Sequence, residues 1–427
     1  MTSRHLHRLL TALVLGSVAF AQETPAPAPA PAPTAETAKP ADAKAGGKWA
    51  IPAIGMIPKG FPKPIKPEPQ IVKRTIPYTP PTRDALTCSK EGNPRTVIMF
   101  IGDGMGPTHT YIGKIGGAGF HAKSHIELCD YLAMASTEAS DFPITDSAAG
   151  ATALAAGVKT TNGTVGLDAN GNEVPCLVDD AQKANKWTGI VSKDSITGAT
   201  PACFFAHSSS RGSEADIAAQ APGSGVNLFI AGGAKIFETP AADGTVLKDK
   251  ATEAGYLFTK ELGALKSADL AETKVMALLS DGSILNSTAE GPLGCAETTK
   301  IAIEKLSKSP NGFFLMVEGA RIDKESHKND AAKLIDEAVD FDQAVGVALE
   351  YAEQQGDVLV VVTADHETGG VSVPFVNIED ETFTLVFSTA SHTGVPVYAA
   401  AAGLGAPNFH GFIDNTDIPK IIRSVWK

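Results

Sequence analysis

Three runs of aliphatic and β-branched residues in this 427-residue chain lead straight into side chains able to hold a cation. Asp103 follows Thr96-Val97-Ile98-Met99-Phe100-Ile101, and Glu318 follows Phe313-Phe314-Leu315-Met316-Val317. Asp365-His366 comes just after Val358-Leu359-Val360-Val361-Val362. Carboxylates delivered to one edge of a sheet repel one another unless cations neutralise them. Any one of them alone reads equally as a helix cap or turn former. Four liganding side chains on three strand ends make that reading much weaker.

Asp323 and His327 stand four apart, so one helical turn or a tight loop could aim both at a single ion. His392, in Ser391-His392-Thr393-Gly394, is a third candidate for that ion. A lone histidine is more often an ordinary packed or exposed residue. This one lies beyond the last strong strand, where active-site loops are expected. Mixed imidazole and carboxylate ligands suit zinc, with bonds of about 2 Å and room for water or substrate.

Thr145-Asp146-Ser147-Ala148-Ala149-Gly150 opens a helix of small residues at or just after Asp146-Ser147. Backbone N–H groups at a helix N-terminus attract phosphate, and small residues allow close approach. From this segment alone Ser147 reads as a simple N-cap. To attack, a serine needs activation, and no histidine stands beside it at a familiar local spacing. Coordination of its oxygen to zinc would supply the alkoxide instead.

The elements that must position these residues follow from the hydrophobic pattern. Thr188–Ser192, Leu228–Ile230 and Val275–Leu279 resemble the three runs above. Strands apolar on both faces belong to a mostly parallel sheet covered by helices. Residues 331–355 carry an apolar stripe at helical spacing and stop before Gly356, a plausible C-terminal cap. This βα alternation predicts a doubly wound α/β fold with helices on both faces of a mostly parallel central sheet. Its active site is expected outside the carboxyl ends of the strands. No internal repeat is apparent, so a solenoid is not expected.

Composition narrows the classes further. The formal net charge of −12 argues against a nucleic-acid-binding surface and against binding to anionic lipid. Arg4 and Arg8 precede an apolar run that ends at Ala19-Phe20-Ala21, so residues 1–21 read as a secretory signal peptide. That run is too short for a membrane span. Residues 22–83 hold 15 of the 28 prolines and read as a Pro/Ala-rich linker followed by an extended arm that could lie along the body. The catalytic domain is expected over 84–427, in a protein exported to the periplasm or the medium. Export permits disulfides among Cys88, Cys129, Cys176, Cys203 and Cys295, an odd number whose connectivity stays open.

With these pieces in order, the chain resembles the secreted bacterial alkaline phosphatases. The matching strings are Ile101-Gly102-Asp103-Gly104-Met105-Gly106, Thr145-Asp146-Ser147-Ala148-Ala149, Ala199-Thr200-Pro201, Val317-Glu318-Gly319-Ala320 with Ile322-Asp323-Lys324, Thr363-Ala364-Asp365-His366, and Ser391-His392-Thr393-Gly394. The resemblance implies two zinc ions and one magnesium ion. One zinc would be held by Asp323, His327 and His392. The second would be held by Asp103, Asp365 and His366, with Ser147 approaching it. Magnesium would share Asp103 and add Thr200 and Glu318. Arg211 matches the family's phosphate-clamping arginine, and Lys324 a position near the phosphate.

One position departs from the pattern. Two residues before Thr200, relatives place an Asp or His that orients magnesium-bound water, and here that residue is Gly198. The stretch 241–291 and the final loops leave room only for a small inserted crown region.

The implied reaction is hydrolysis of phosphate monoesters through a phosphoserine on Ser147, with activity rising into alkaline pH. A homodimer is implied as well. A sulfatase of the usual kind would need a Cys-x-Pro-x-Arg segment, and none of the five cysteines sits in one. Phosphodiesterases of similar fold usually replace the serine by threonine and lack the clamping arginine. A non-catalytic phosphate or metal scavenger would not need a nucleophile at a helix start.

Overall fold

The computed structural model describes residues 67–73, 78–81, 92–284 and 293–426. The signal peptide expected at 1–21, the spacer that follows it, the boundary at residue 84 and Cys88 lie outside the described residues.

All six apolar runs form strands: Thr96–Ile101, Trp187–Ser195, Leu228–Gly232, Lys274–Leu278, Phe313–Glu318 and Val358–Thr363. They share one ten-stranded sheet. From one edge its order is Gly411–Asp414, Tyr131–Ser136, Val397–Gly403, Val358–Thr363, Thr96–Ile101, Phe313–Glu318, Trp187–Ser195, Leu228–Gly232, Lys274–Leu278 and Tyr256–Thr259. Val397–Gly403 runs against both of its neighbours, and every other pairing in this sheet is parallel.

Strands Thr96–Ile101, Phe313–Glu318 and Val358–Thr363 are buried along their whole length. That burial requires cover on both faces. Helices Pro107–Gly116, Cys295–Leu306 and Ala331–Gln355 pack together as one group, and Ser147–Ala156, Leu177–Lys183 and Asp417–Val425 as another. Each fully buried Val, Leu or Ile in these strands contributes roughly 1.5–3 kcal/mol relative to exposure.

The long helix spans Ala331–Gln355, as its stripe predicts. The Asp330 side chain caps it by accepting from Lys333 N–H, and Gly356 ends it at φ 77°. Residues 241–278 supply two helices, Leu247–Glu253 and Leu262–Ser267, the edge strand Tyr256–Thr259 and its neighbour Lys274–Leu278. A small separate sheet is built from Val371–Asn377, Thr382–Phe387 and Gln70–Lys73.

Gln70–Lys73 pairs antiparallel with Thr382–Leu385, so this piece of the arm does lie along the body. The Gln70 amide donates to the Asn329 carbonyl and accepts from Ala331 N–H, and Tyr78 Oη donates to Asp342 at 2.6 Å. Cys176, Cys203 and Cys295 are buried thiols outside any disulfide. Among the described residues, no helix is long and apolar enough to cross a membrane.

Register decides where the chemistry falls. Ile101 lies opposite both Thr363 and Glu318, and Glu318 lies opposite Ser192. Three neighbouring strands therefore end level, Trp187–Ser195 passes the same line at Ser192, and the residues at that line share one rim.

Candidate metal centre and nucleophile

Helix Arg321–His327 places Asp323 and His327 on one turn, with His327 Nε2 3.2 Å from Asp323 Oδ1. His392 arrives from far along the chain. A two-stranded ribbon sets it opposite Thr368, two residues beyond His366. His392 Nε2 lies 3.1 Å from His327 Nε2 and 3.5 Å from Asp323 Oδ1. Both rings are oriented through Nδ1, at 2.8 Å from the Ala390 carbonyl for His327 and from the Thr145 carbonyl for His392. A carbonyl only accepts, so each Nδ1 carries the proton and each Nε2 presents a bare lone pair. Burial opposes ionisation of Asp323, yet the imidazoles of His327, His366 and His392 hold it well below the usual carboxylate range.

The second cluster stands beside the first. His366 Nε2 lies 3.4 Å from both Asp103 Oδ1 and Asp365 Oδ2. Asp365 Oδ1 is fixed by the backbone N–H groups of Gly104 and His366, whereas its Oδ2 is buried without a partner. Asp103 Oδ1 is buried without a hydrogen bond as well. Burial pushes both carboxyls well above the usual range. Neighbouring carboxylates add to it, chiefly Asp365 and Asp323 for Asp103, and Asp323 for Asp365. Gly104 makes the approach possible, because its φ is 72° and a Cβ there would stand 2.9 Å from the Asp323 Cα.

Asp323 belongs by distance to both groups, since it clusters with His327 and His392 and also with Asp103 and His366. The sequence reading assigned it to the first alone. Thr368 explains its pose. The Thr368 hydroxyl donates to Asp323 Oδ1 at 2.5 Å and sits 3.2 Å from His366 Nδ1.

Ser147 opens the helix Ser147–Ala156 and is not its cap. Asp146 takes that role, with Oδ1 accepting from Ala149 N–H at 3.0 Å. The cap is thus satisfied one residue earlier, which frees the Ser147 hydroxyl. Ser147 Oγ lies 3.2 Å from His366 Nε2, a pair 219 residues apart in sequence. No local spacing could have shown it.

Glu318 and Thr200 form the third grouping. Glu318 is buried and accepts from the Ser192 hydroxyl. Burial and the nearby Asp194 charge push its carboxyl up to about 7. Thr200, in the short helix Ala199–Ala202, is fully buried, and its hydroxyl completes no hydrogen bond. Buried oxygens on Asp103, Asp365 and Thr200 that no protein group satisfies fit the ligands of a cation-binding site. The donor set fits, with imidazole and carboxylate for zinc and all-oxygen ligands for magnesium.

Arg211 Nη1 donates to Asp146 Oδ2 at 3.0 Å, which puts its guanidinium next to the nucleophile's helix. Its side chain is partly exposed. Lys324 pairs with Asp194 and donates to Ser283 Oγ at 3.2 Å. Ser192, Asp194 and Thr368 support the site without any signal in the sequence, since each acts through a residue distant along the chain.

A doubly wound sheet that presents cation-liganding groups and a helix-borne hydroxyl at its carboxyl rim marks a class of α/β proteins with the active site outside the strand ends. The chain belongs to the alkaline phosphatase family, whose model matches residues 94–384. It is 33% identical over 294 residues to Alkaline phosphatase 4 of Bacillus subtilis (strain 168), covering 65% of this chain and 62% of that protein. It is 31% identical over 409 residues to the alkaline phosphatase of Escherichia coli (strain K12), covering 79% and 86%. The chain thus spans less than two thirds of the Bacillus protein and most of the Escherichia one. Among solved structures, the alkaline phosphatase from the Antarctic bacterium TAB5 superposes with a TM-score of 0.72 at 33% identity, covering 78% of this chain and 98% of that one. A variant of the TAB5 enzyme with magnesium bound in its M3 site gives the same TM-score at 31% identity.

Proposed function

We propose that this chain hydrolyses phosphate monoesters to an alcohol and inorganic phosphate through a phosphoserine on Ser147, with an alkaline optimum. The observation that carries the proposal is the position of Ser147 Oγ, 3.2 Å from His366 Nε2 at the meeting of the liganding clusters. Family membership supports the substrate class. Asp323, His327 and His392 would hold one zinc, Asp103, Asp365 and His366 a second, and Asp103, Thr200 and Glu318 a magnesium. When bound, these ions would supply Lewis-acid neutralisation of phosphate charge and lower the pKa of bound water.

The chain's own residues do the rest. Ser147 Oγ stands 3.2 Å from His366 Nε2, the nitrogen that would hold the second zinc, and a cation held there would ease loss of the hydroxyl proton to water. Oγ attacks phosphorus, an O–P bond forms, and the ester oxygen leaves with the bonding pair and takes up a proton. The Arg211 fork can bind two phosphate oxygens at once, and Asp146 holds it beside the helix start. Backbone N–H groups at that helix start face the same anion. Lys324 adds positive charge at the rim. Water then attacks phosphorus, the Ser–O–P bond breaks, and the Ser147 hydroxyl is restored as phosphate departs.

Burial pushes Asp103, Asp365 and Glu318 up, and all three must be ionised to hold cations, so loading and activity should rise toward alkaline pH. Export to the periplasm or the medium, and a homodimer, belong to the same reading. The first rests on the basic and apolar residues of the N-terminal segment, the second on the family. Turnover of an aryl monophosphate and of a bis-aryl phosphate tests the function. Faster cleavage of the diester, or no cleavage of the monoester by zinc- and magnesium-loaded protein, would refute it.

A further inference from the structure

Gly198 lacks the side chain that relatives of this family place two residues before the threonine ligand, and the structure shows what fills the gap. A Cβ built on Gly198 would stand 2.8 Å from Asp194 Oδ2 and 3.0 Å from the Ser195 carbonyl oxygen. The glycine's φ of −54° and ψ of 152° are open to any residue. Backbone conformation therefore does not require glycine at this position. Space for the Asp194 carboxylate does.

Asp194 is tied to the site in three ways. Its carboxylate pairs with the Lys324 ammonium, and Oδ1 accepts from Ser283 Oγ at 2.8 Å. Ser283 Oγ also accepts from Lys324 Nζ at 3.2 Å, so carboxylate, hydroxyl and ammonium form a closed triangle. On the other side, Asp194 N–H donates to Ser192 Oγ at 2.8 Å, and that hydroxyl donates to Glu318. Asp194 thereby reaches both Lys324 and Glu318. Two residues beyond Gly198, Thr200 Oγ1 is buried and completes no hydrogen bond.

We propose that Asp194 is a positioning residue that replaces the side chain missing at Gly198. It holds Lys324 in place for the phosphate and serves as the outer carboxylate of the magnesium site formed by Asp103, Thr200 and Glu318. The carboxylate comes from four residues upstream of Gly198, across the turn that joins the strand to the short helix. This rests on the three-cation reading above.

The test is calorimetric titration of magnesium chloride, and separately of inorganic phosphate, into zinc-loaded protein. Asp194→Asn keeps the side chain's shape and should weaken magnesium binding about tenfold or more while zinc content stays constant. Phosphate affinity should fall in Asp194→Asn and in Lys324→Ala, with the double variant no weaker than Lys324→Ala alone to within about twofold, because the two act as a unit. Moving the carboxylate back, in Asp194→Ala/Gly198→Asp, should restore magnesium affinity to within about threefold of wild type. Wild-type magnesium affinity in Asp194→Asn would overturn the proposal, as would failure of the relocated carboxylate to improve on Asp194→Ala. Wild-type zinc-loaded protein that takes up no magnesium would instead refute the three-cation reading, and the phosphate arm would still test the Asp194–Lys324 pair.

Discussion

His327 Nε2 lies 3.1 Å from His392 Nε2, and each ring turns its other nitrogen to a backbone carbonyl. The carbonyls fix the tautomers, so the two nitrogens that face each other are both acceptors. Two lone pairs at that separation repel unless a proton or a cation lies between them. Asp323 adds a third acceptor within 3.5 Å of both. The arrangement fits a cation by its own electrostatics, as the proposed zinc site requires. Replacing His392 by Ala should therefore lower zinc affinity by two orders of magnitude or about that, read by metal content after dialysis. Unchanged zinc content in this variant would contradict the assignment.

Ser147→Ala should reduce monoester turnover by about a thousandfold or more while leaving metal content and phosphate binding intact. The wild-type chain, quenched in acid during turnover, should show a phosphate adduct on the peptide containing Ser147, and the variant should not. Retained turnover would mean that the attacking group lies elsewhere.

Arg211 is anchored by Asp146 at 3.0 Å and carries the fork that fits a phosphate. Arg211→Ala removes charge-assisted hydrogen bonds worth about 1.5–3 kcal/mol, so inorganic phosphate should bind roughly ten- to a hundredfold more weakly. Arg211→Lys should recover only part of the loss, because a point charge cannot replace the fork. Inhibition constants for phosphate measure both.

The pH dependence of magnesium binding follows from Glu318, whose carboxyl burial pushes up to about 7. Below that value the proton competes with the cation, and binding must release it. Magnesium affinity should rise with pH up to about 7 and flatten above it, with a proton released on binding at pH 6 and little at pH 9. Calorimetry in buffers of different ionisation enthalpy measures that release. Affinity independent of pH between 5.5 and 8 would remove Glu318 from the site.

Lys193 is buried and donates to Glu337 and, at 3.3 Å, to Asp340. Glu337 also accepts from Arg321 at 3.2 Å, the first residue of the helix that carries Asp323 and His327. Removing one partner of a buried ion pair leaves the rest uncompensated. Lys193→Met should cost about 3 kcal/mol, seen as a lower denaturation midpoint at unchanged denaturant sensitivity.

The central strands were legible because parallel strands covered on both faces read as unbroken apolar runs, and the ligands directly follow them. Helix Ala331–Gln355 was legible to the residue through its stripe and Gly356. Val397–Gly403 was not, because its alanines carry little β preference and packing between two strands decides its conformation. Tyr256–Thr259 is a short, half-buried edge strand and leaves an equally faint trace. In the site, the places of His366 and Asp103 after strands and of Ser147 at a helix start are legible in the sequence. Asp194 leaves no mark in the sequence, since its partner Lys324 comes from another element and its approach to Gly198 exists only once the chain is folded. Ser147 looked like a cap because Ser and Asp are both good caps, and only the fold shows that Asp146 occupies the role.

The most direct test is the rate of aryl monophosphate hydrolysis by purified protein at alkaline pH before chelation, after chelation, and after zinc and magnesium are returned. Chelation should abolish the rate, and the two ions together should restore it. A rate that survives complete removal of metal would contradict a reaction built on these converging carboxylates and imidazoles.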